Sequence, residues 1–130
     1  MERLNQRGFT LVELVIVIAI ISTLACIAIP RFTQANDSAV ILKARTDLMA
    51  IDGALAAYTI YSGISRPNPT LSDLVSSGYL AVEPKPPSRL GTFKAEGDYH
   101  IDTSRSRSYL PITNSGKTIA FYSDTDLSVK

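Results

Sequence analysis

The hydrophobic pattern divides the chain into stretches that obey different rules. From Leu14 to Ile29 no residue is charged, and Ser22, Thr23 and Cys26 are the only polar or sulfur-bearing members of an Ile-, Val-, Leu- and Ala-rich run. As a helix, Phe9 to Ile29 would rise roughly 31 Å, close to the ~30 Å hydrocarbon core of a bilayer. Ala19, Ser22, Thr23 and Cys26 fall on one face of that helix and Leu14, Val17, Ile21, Leu24 and Ala28 on the other. A stripe of small residues lets helices approach closely in lipid-like surroundings. Pro30 removes a backbone donor and crowds the preceding turn, which predicts a kink or a locally melted turn between Cys26 and Pro30.

Past Pro30 the period stays helical but the apolar positions narrow to one stripe. Ile41, Leu48, Ile51, Leu55 and Tyr58, with Ala44 and Ala54, recur at spacings that put them on a single face, while Lys43, Arg45, Asp47 and Asp52 occupy other positions. Gly53 inside this helix costs about 1 kcal/mol relative to Ala, so it suits a close approach. The spacing predicts one nearly continuous helix from Phe9 to Tyr61, ending near Ser62-Gly63. Arg66-Pro67-Asn68-Pro69 reads as a turn. Thr70-Leu71-Ser72-Asp73 has capping-box spacing and opens a short helix through Leu71, Leu74 and Val75, stopped at Gly78.

The last third alternates as strands do. Candidate strands are Leu90 to Lys94, Tyr99 to Thr103, Ser108 to Thr113 and Thr118 to Ser123, separated by Glu96-Gly97-Asp98, Ser104-Arg105-Ser106 and Asn114-Ser115-Gly116. Pro84, Pro86 and Pro87 form an extended connector, and Pro111 demotes the third strand to an edge or places a bulge there. Phe93, Tyr99, Ile101, Tyr109, Ile119 and Phe121 are the expected core contributors of a sheet that covers the amphipathic half of the long helix. The fold class expected is α+β, a long N-terminal helix packed on a small antiparallel sheet.

Charge sets the orientation. Arg3 and Arg7 precede the apolar run and Arg31 is the first charge after it, so the positive-inside rule keeps the N-terminus cytoplasmic. One carboxylate, Glu13, lies just inside the apolar stretch. An acid there costs a few kcal/mol unless neutralised, and is a functional hypothesis by default. The plain alternative is that Glu13 marks the end of a shorter membrane helix. A secretory signal would place its small-residue cleavage site after the apolar run, whereas Gly8 precedes it. Thr23-Leu24-Ala25-Cys26 has the outline of a lipoprotein cleavage box, with Thr23 where Leu is usual.

Arg7-Gly8-Phe9-Thr10-Leu11-Val12-Glu13-Leu14 resembles the processing site of type IV prepilins and of type II secretion pseudopilins. The resemblance implies cleavage by a prepilin peptidase between Gly8 and Phe9, N-methylation of Phe9, an assembly role for Glu13, and a helix-bending role for Pro30. It divides the chain into a leader (1–8), a transmembrane and filament-core segment (9–30) and an extracytoplasmic domain (31–130). It implies storage in the bacterial inner membrane, partnership with further copies, related pilins and an assembly platform, and then a periplasmic or cell-surface filament. The Gly78-Tyr79-Leu80 region and the lack of a Cys pair favour a pseudopilin over a pilus subunit, with a DNA-uptake minor pilin and a simple bitopic protein as other readings.

The remaining chemistry is sparse. Losing residues 1–8 removes two of 13 basic and one of 12 acidic side chains, which leaves the charges balanced and argues against a generic nucleic-acid binder. The single Cys allows no intramolecular disulfide. His100, the only His, reads as an ordinary strand residue, and no nucleophile elbow, phosphate loop or zinc spacing is present, so no catalytic residue or cofactor is expected. Asp124 and Asp126 are candidate oxygen ligands for calcium, although such pairs are ordinarily a solvated tail. Ser104-Arg105-Ser106-Arg107 is a small basic spot. Mass spectrometry of the native protein should find a chain beginning at Phe9 and N-methylated; Gly8→Leu should retain the leader, because a bulky side chain replaces the only small residue at the boundary.

Overall fold

The computed structural model describes residues 8–62 and 69–127. The basic leader residues, Gly63 as a helix stop and the Arg66-Pro67-Asn68 turn lie outside the described residues. Helix α1 runs Leu11–Ser62, starting two positions later than the apolar pattern begins. Pro30 sits in its interior, and residues 26–30 are helical, so the locally melted turn is not formed. Proline removes one donor from the i→i−4 ladder, and the bonds on either side hold the helix together. Hydroxyls in the apolar stretch satisfy themselves on the helix: Ser22 Oγ donates to the Ile18 carbonyl (2.7 Å) and Thr23 Oγ1 to that of Ile20 (2.8 Å). That return to the backbone is what makes Ser and Thr tolerable where no water is available.

Two compact units divide within α1, between Asn36 and Asp37. In the first, the large apolar side chains from Leu11 to Ile29 are exposed along the helix. Nothing in that unit covers them.

The second unit is a helix-on-sheet domain. The expected stripe is its helical half: Ala44, Leu48, Ile51, Ala54, Leu55 and Tyr58 are buried, and Ile41 packs partly against them. Helix α2 spans Leu71–Ser76. Its capping box is made: the Asp73 amide donates to Thr70 Oγ1 and the Thr70 amide to Asp73 Oδ2. Two bonds to the Leu74 carbonyl, from the Tyr79 and Leu80 amides, close its end around Gly78, whose φ of 77° a glycine adopts freely. Tyr79 then meets Tyr58 edge-on at 5.7 Å.

The sheet comprises β1 (Arg89–Leu90), β2 (Phe93–Ala95), β3 (His100–Asp102), β4 (Arg107–Asn114) and β5 (Lys117–Phe121). All pairings are antiparallel, and β4 is central: it pairs with β2, β3 and β5. The strand expected over Leu90 to Lys94 is a tight β1–β2 hairpin, turned at Gly91 with φ of 61°. The edge role for Pro111 is therefore corrected, and the bulge lies in the segment beside it rather than in β4 itself. The Glu96 amide donates to the Pro111 carbonyl (2.8 Å), so the proline nitrogen faces the same neighbour. There the neighbouring chain is interrupted: residues 96–99 stand opposite only 110–111 before His100 pairs with Tyr109. Gly97, at φ of 83°, sits in that bulge. The donor that proline lacks falls where the ladder is already broken. Glu96-Gly97-Asp98 is consequently not a hairpin turn, since β2 and β3 both pair with β4 rather than with each other.

Burial along β4 alternates strictly. Ser108, Leu110 and Ile112 are buried, and they meet the core with Leu90, Phe121 and Leu127. Tyr109 is thereby excluded from the core, contrary to expectation; it stacks with His100 at 5.5 Å and lies tilted against Tyr122 at 5.9 Å on the other face. Tyr99 and Phe121 are core residues, and Phe93, Ile101 and Ile119 pack partly against it. In a fragment of residues 31–130, Leu55→Ala should lower unfolding free energy by roughly 2–5 kcal/mol, the usual large-to-small core cost, as read from denaturant curves. An unchanged midpoint would remove Leu55 from the core.

Candidate functional site

The N-terminal constellation is assembled by one helix start. Gly8, Phe9 and Thr10 precede α1, all exposed, and a side chain built on Gly8 would meet nothing within 4 Å. Glu13 occupies the third helical position, where it reaches back to the chain entering the helix. The Thr10 amide donates to Glu13 Oε2 (2.9 Å), the Thr10 hydroxyl to the same oxygen (2.8 Å), and the Glu13 amide lies 3.2 Å from Thr10 Oγ1. This is a capping box, reciprocal between the first residue outside the helix and the third inside it. Sequence reasoning found the box at Thr70 and overlooked this one, although Thr10-Leu11-Val12-Glu13 has the same spacing with the preferred Glu.

The carboxylate therefore has a local role besides any intermolecular one. It also lies close to the positive end of the helix dipole, which favours an anion. The Gly8–Phe9 junction is exposed and lies just ahead of the helix cap. Hydrolysis there would free an amine on the residue preceding Thr10, next to Glu13's own binding partner.

In the second unit, the charges of α1 fasten the helix to its sheet and loops. Ser108 lies two residues beyond the Leu110–Phe121 pair at the end of β5. Its amide donates to Asp52 Oδ1 (2.6 Å), and its hydroxyl is within reach of both that oxygen (2.7 Å) and the Leu48 carbonyl (3.1 Å). One hydroxyl proton serves one acceptor at a time. Asp47 Oδ2 accepts from Tyr99 OH (2.8 Å) and from Lys43 Nζ (2.5 Å), and Lys43 also donates to the Lys85 carbonyl (3.0 Å). Burial, then the adjoining Asp47 carboxylate, pushes the Tyr99 phenol far above its ordinary range, so it remains a donor. Arg45 Nη2 donates to the Thr125 carbonyl (2.8 Å), which holds the C-terminal segment whose Leu127 is buried.

The remaining candidate residues are occupied in the same structural way. Arg107 grips Asp124 with both Nη atoms at 3.0 Å and reaches Ser123 Oγ at 3.1 Å. Arg105 lies 3.6 Å from Asp102, and both arginines sit over the Tyr122 ring. The basic spot around residues 104–107 is thus matched by carboxylates. Asp124, a calcium candidate together with exposed Asp126, has its oxygens turned to Arg107, and among the described residues no three His, Cys, Asp or Glu side chains gather as a metal site would need. His100 is an exposed strand residue stacked on Tyr109. Cys26 is a free thiol on the apolar helix.

Among the described residues one helix is long and apolar enough, by length and composition, to cross a membrane. Residues 3–29 match the prokaryotic N-terminal methylation motif. The chain is 27% identical to type II secretion system core protein G of Klebsiella michiganensis, over 98% of this chain and 94% of that one. It is 37% identical to the core protein G of Pseudomonas aeruginosa, over 46% of this chain and 42% of the relative. It is 33% identical to the type IV major pilin protein PilA of Myxococcus xanthus, over 86% of this chain and 47% of the pilin. No solved structure matches the chain. The relatives matched are type II secretion pseudopilins and type IV pilins, and the apolar N-terminal helix and methylation motif of this chain are consistent with an inner-membrane pilin.

The Arg107–Asp124 clamp makes a pH prediction. The Arg107 hydrogen bond, and secondarily its charge, holds the Asp124 carboxyl below the usual carboxylate range. A depressed carboxylate stabilises the fold above its unfolded value, and that contribution disappears as pH falls through the folded value. Amide protection of residues 124–127 should therefore fall on acidification below about pH 4, the ordinary Asp range, with the central sheet still protected. Asp124→Asn should weaken protection at neutral pH and flatten its acid dependence. Identical acid profiles for the two proteins would show that the clamp does not hold the tail.

Proposed function

We propose that this chain is a pseudopilin of a type II secretion system, stored in the inner membrane and polymerised through its N-terminal helix. The observation that carries the reading is similarity to a core protein G across nearly the whole of both chains. The pilin match reaches a higher identity but spans less than half of the pilin. The absence of a Cys pair agrees with the pseudopilin reading. In this proposal residues 1–8 are the leader, 9–30 the membrane and filament-core segment, and 31–130 the extracytoplasmic domain. A prepilin peptidase cuts after Gly8, Phe9 is methylated, and Pro30 bends the helix where it leaves the apolar core. The assembly platform of the inner membrane then adds the subunit to a filament of like chains.

Glu13 is the register device of this scheme. In the membrane-stored subunit its carboxylate closes the helix cap with Thr10. In the filament it faces the Phe9 amine of a neighbour, a group that is cationic near neutral pH. Breaking such a buried pair by removing one partner costs ~3–5 kcal/mol, and each 1.4 kcal/mol is about tenfold in an equilibrium.

A paired substitution separates the cap from the charge. Glu13→Leu loses both, whereas Glu13→Gln keeps an acceptor for the Thr10 amide and loses only the charge. Both should keep normal membrane abundance by blot and lower sheared-filament yield by at least about tenfold. Normal filament yield from Glu13→Gln would assign Glu13 to capping alone. A type IV pilus subunit would give the same Glu13 result, so the system is decided by complementation: deletion of this chain's gene should abolish secretion by a type II system and leave surface pili intact.

A further inference from the structure

The outer edge of β3 carries backbone groups that the fold does not use. β4 has strands on both sides, and its own backbone groups alternate between them. The Pro111 carbonyl accepts from Glu96, so the odd-numbered residues of β4 face β2 and β3. Even-numbered Ser108 turns its amide the other way, to Asp52. The β3–β4 bonds therefore join His100 to Tyr109 and Asp102 to Arg107. Ile101 lies between these pairs, and its amide and carbonyl point away from β4. β3 ends the sheet on that side, and among the described residues no strand, turn or side chain takes up either group.

That edge opens on a groove of about 640 Å³. Tyr99, Ile101 and Thr103 line it from the strand, and Pro69, Leu71 and Ser72 from the start of α2. Leu71 and Tyr99 are buried and Ile101 is half-buried, so the groove borders the core. Glu83 is its only lining residue with a full charge near neutral pH, and it is exposed. Among the described residues no cation lies within ion-pairing distance of Glu83. Lys85 and Asp98, which join Glu83 around a smaller adjoining cavity, offset each other in charge. The groove is left with one uncompensated negative charge.

We propose that β3 is a docking edge for an extended, basic segment of a partner protein, which adds to the sheet as a further strand. Each observation selects one part of that chemistry. A donor and an acceptor on the same strand residue match the donor and acceptor of another extended backbone. The apolar wall at Ile101 and Leu71 takes an aliphatic side chain of the added strand. On the opposite face His100, Tyr109 and Tyr122 already form a row of rings, which a cross-strand neighbour of His100 would lengthen. Glu83 selects Lys or Arg over an acid. The site does not rest on the filament reading, since β3, α2 and Glu83 all belong to the second compact unit.

The test uses the full chain in detergent micelles. The probe is the acetylated and amidated pentapeptide Thr-Val-Lys-Val-Thr, whose Lys is its only charge. Amide exchange and amide shifts are read by NMR. Millimolar peptide should slow exchange of the Ile101 amide by at least about twofold. Thr118 and Ala120, whose amides face the outer edge of β5, should not respond. A peptide with Glu in place of Lys should bind roughly fivefold more weakly, and Glu83→Gln should reduce that preference to within about twofold. The peptide N-methylated at both Val residues should leave Ile101 unchanged, because the amides that would face β3 are blocked. An Ile101 amide that does not respond would overturn the docking edge, as would equal slowing at Thr118 and Ala120 or slowing by the N-methylated peptide. An undiminished preference for Lys in Glu83→Gln would overturn the basic character of the partner. Slowing at Ile101 with rising concentration of the chain alone would assign the edge to a second copy and overturn the partner reading.

Discussion

The apolar surface of the first half of α1 is what the rest of the molecule answers to. Large aliphatic side chains from Leu11 to Ile29 are exposed along that half, and no part of the first unit shields them. At ~25 cal/mol per Å² such a surface is not stable in water, so it requires lipid or other helices around it. Both covers impose the same condition: backbone and side-chain polar groups must be satisfied within the helix. The hydroxyls of Ser22 and Thr23 turned to carbonyls one turn back, and the cap closed by Glu13, are how this sequence meets it.

The second half of the same helix solves a different problem with few resources. It needs a sheet to cover Leu48 to Tyr58, and it has no disulfide to fix that sheet in place. The polar contacts are accordingly concentrated at the helix–sheet junction. Asp52 takes the otherwise unladdered amide of Ser108, and Asp47 takes the phenol of Tyr99. Each acceptor removes a donor that would be costly to bury unmatched. These bonds fix the rotation of the helix on the sheet.

Much of this was legible in the sequence because period and cap chemistry are local. The buried stripe of α1, the Thr70 box and the α+β class follow from spacing alone. What failed was non-local. Pro111 argues against a central strand only if its neighbour is unbroken; the bulge at Gly97 is a property of the other chain segment. An aromatic such as Tyr109 suits a core position, whereas the parity fixed by Ser108, Leu110 and Ile112 turns it outward. Ser108 itself, a fully buried polar residue, could not be found without its partner Asp52, which lies 56 positions away. The Thr10–Glu13 box is legible too, since Thr10-Leu11-Val12-Glu13 has capping-box spacing.

In the proposed filament one carboxylate serves two states. An isolated ionised acid in an apolar run would push the segment out of the membrane. Bonded to the amide and hydroxyl of Thr10, and set at the helix N-terminus, the Glu13 anion is already partly compensated before any neighbour arrives. Both bonds fall on Oε2. A carboxylate has a further oxygen with its own lone pairs, so accepting a cationic amine need not dismantle the cap. In the proposed filament the two interactions add rather than compete. The cap holds the side chain in one rotamer at the helix start, and the neighbour's amine meets a preorganised acceptor instead of ordering a free one. A register contact made this way loses less conformational entropy on assembly. It also explains in physical terms why the acid sits at the third helical position: one residue earlier or later, the carboxylate would not close the box and would enter the filament unordered.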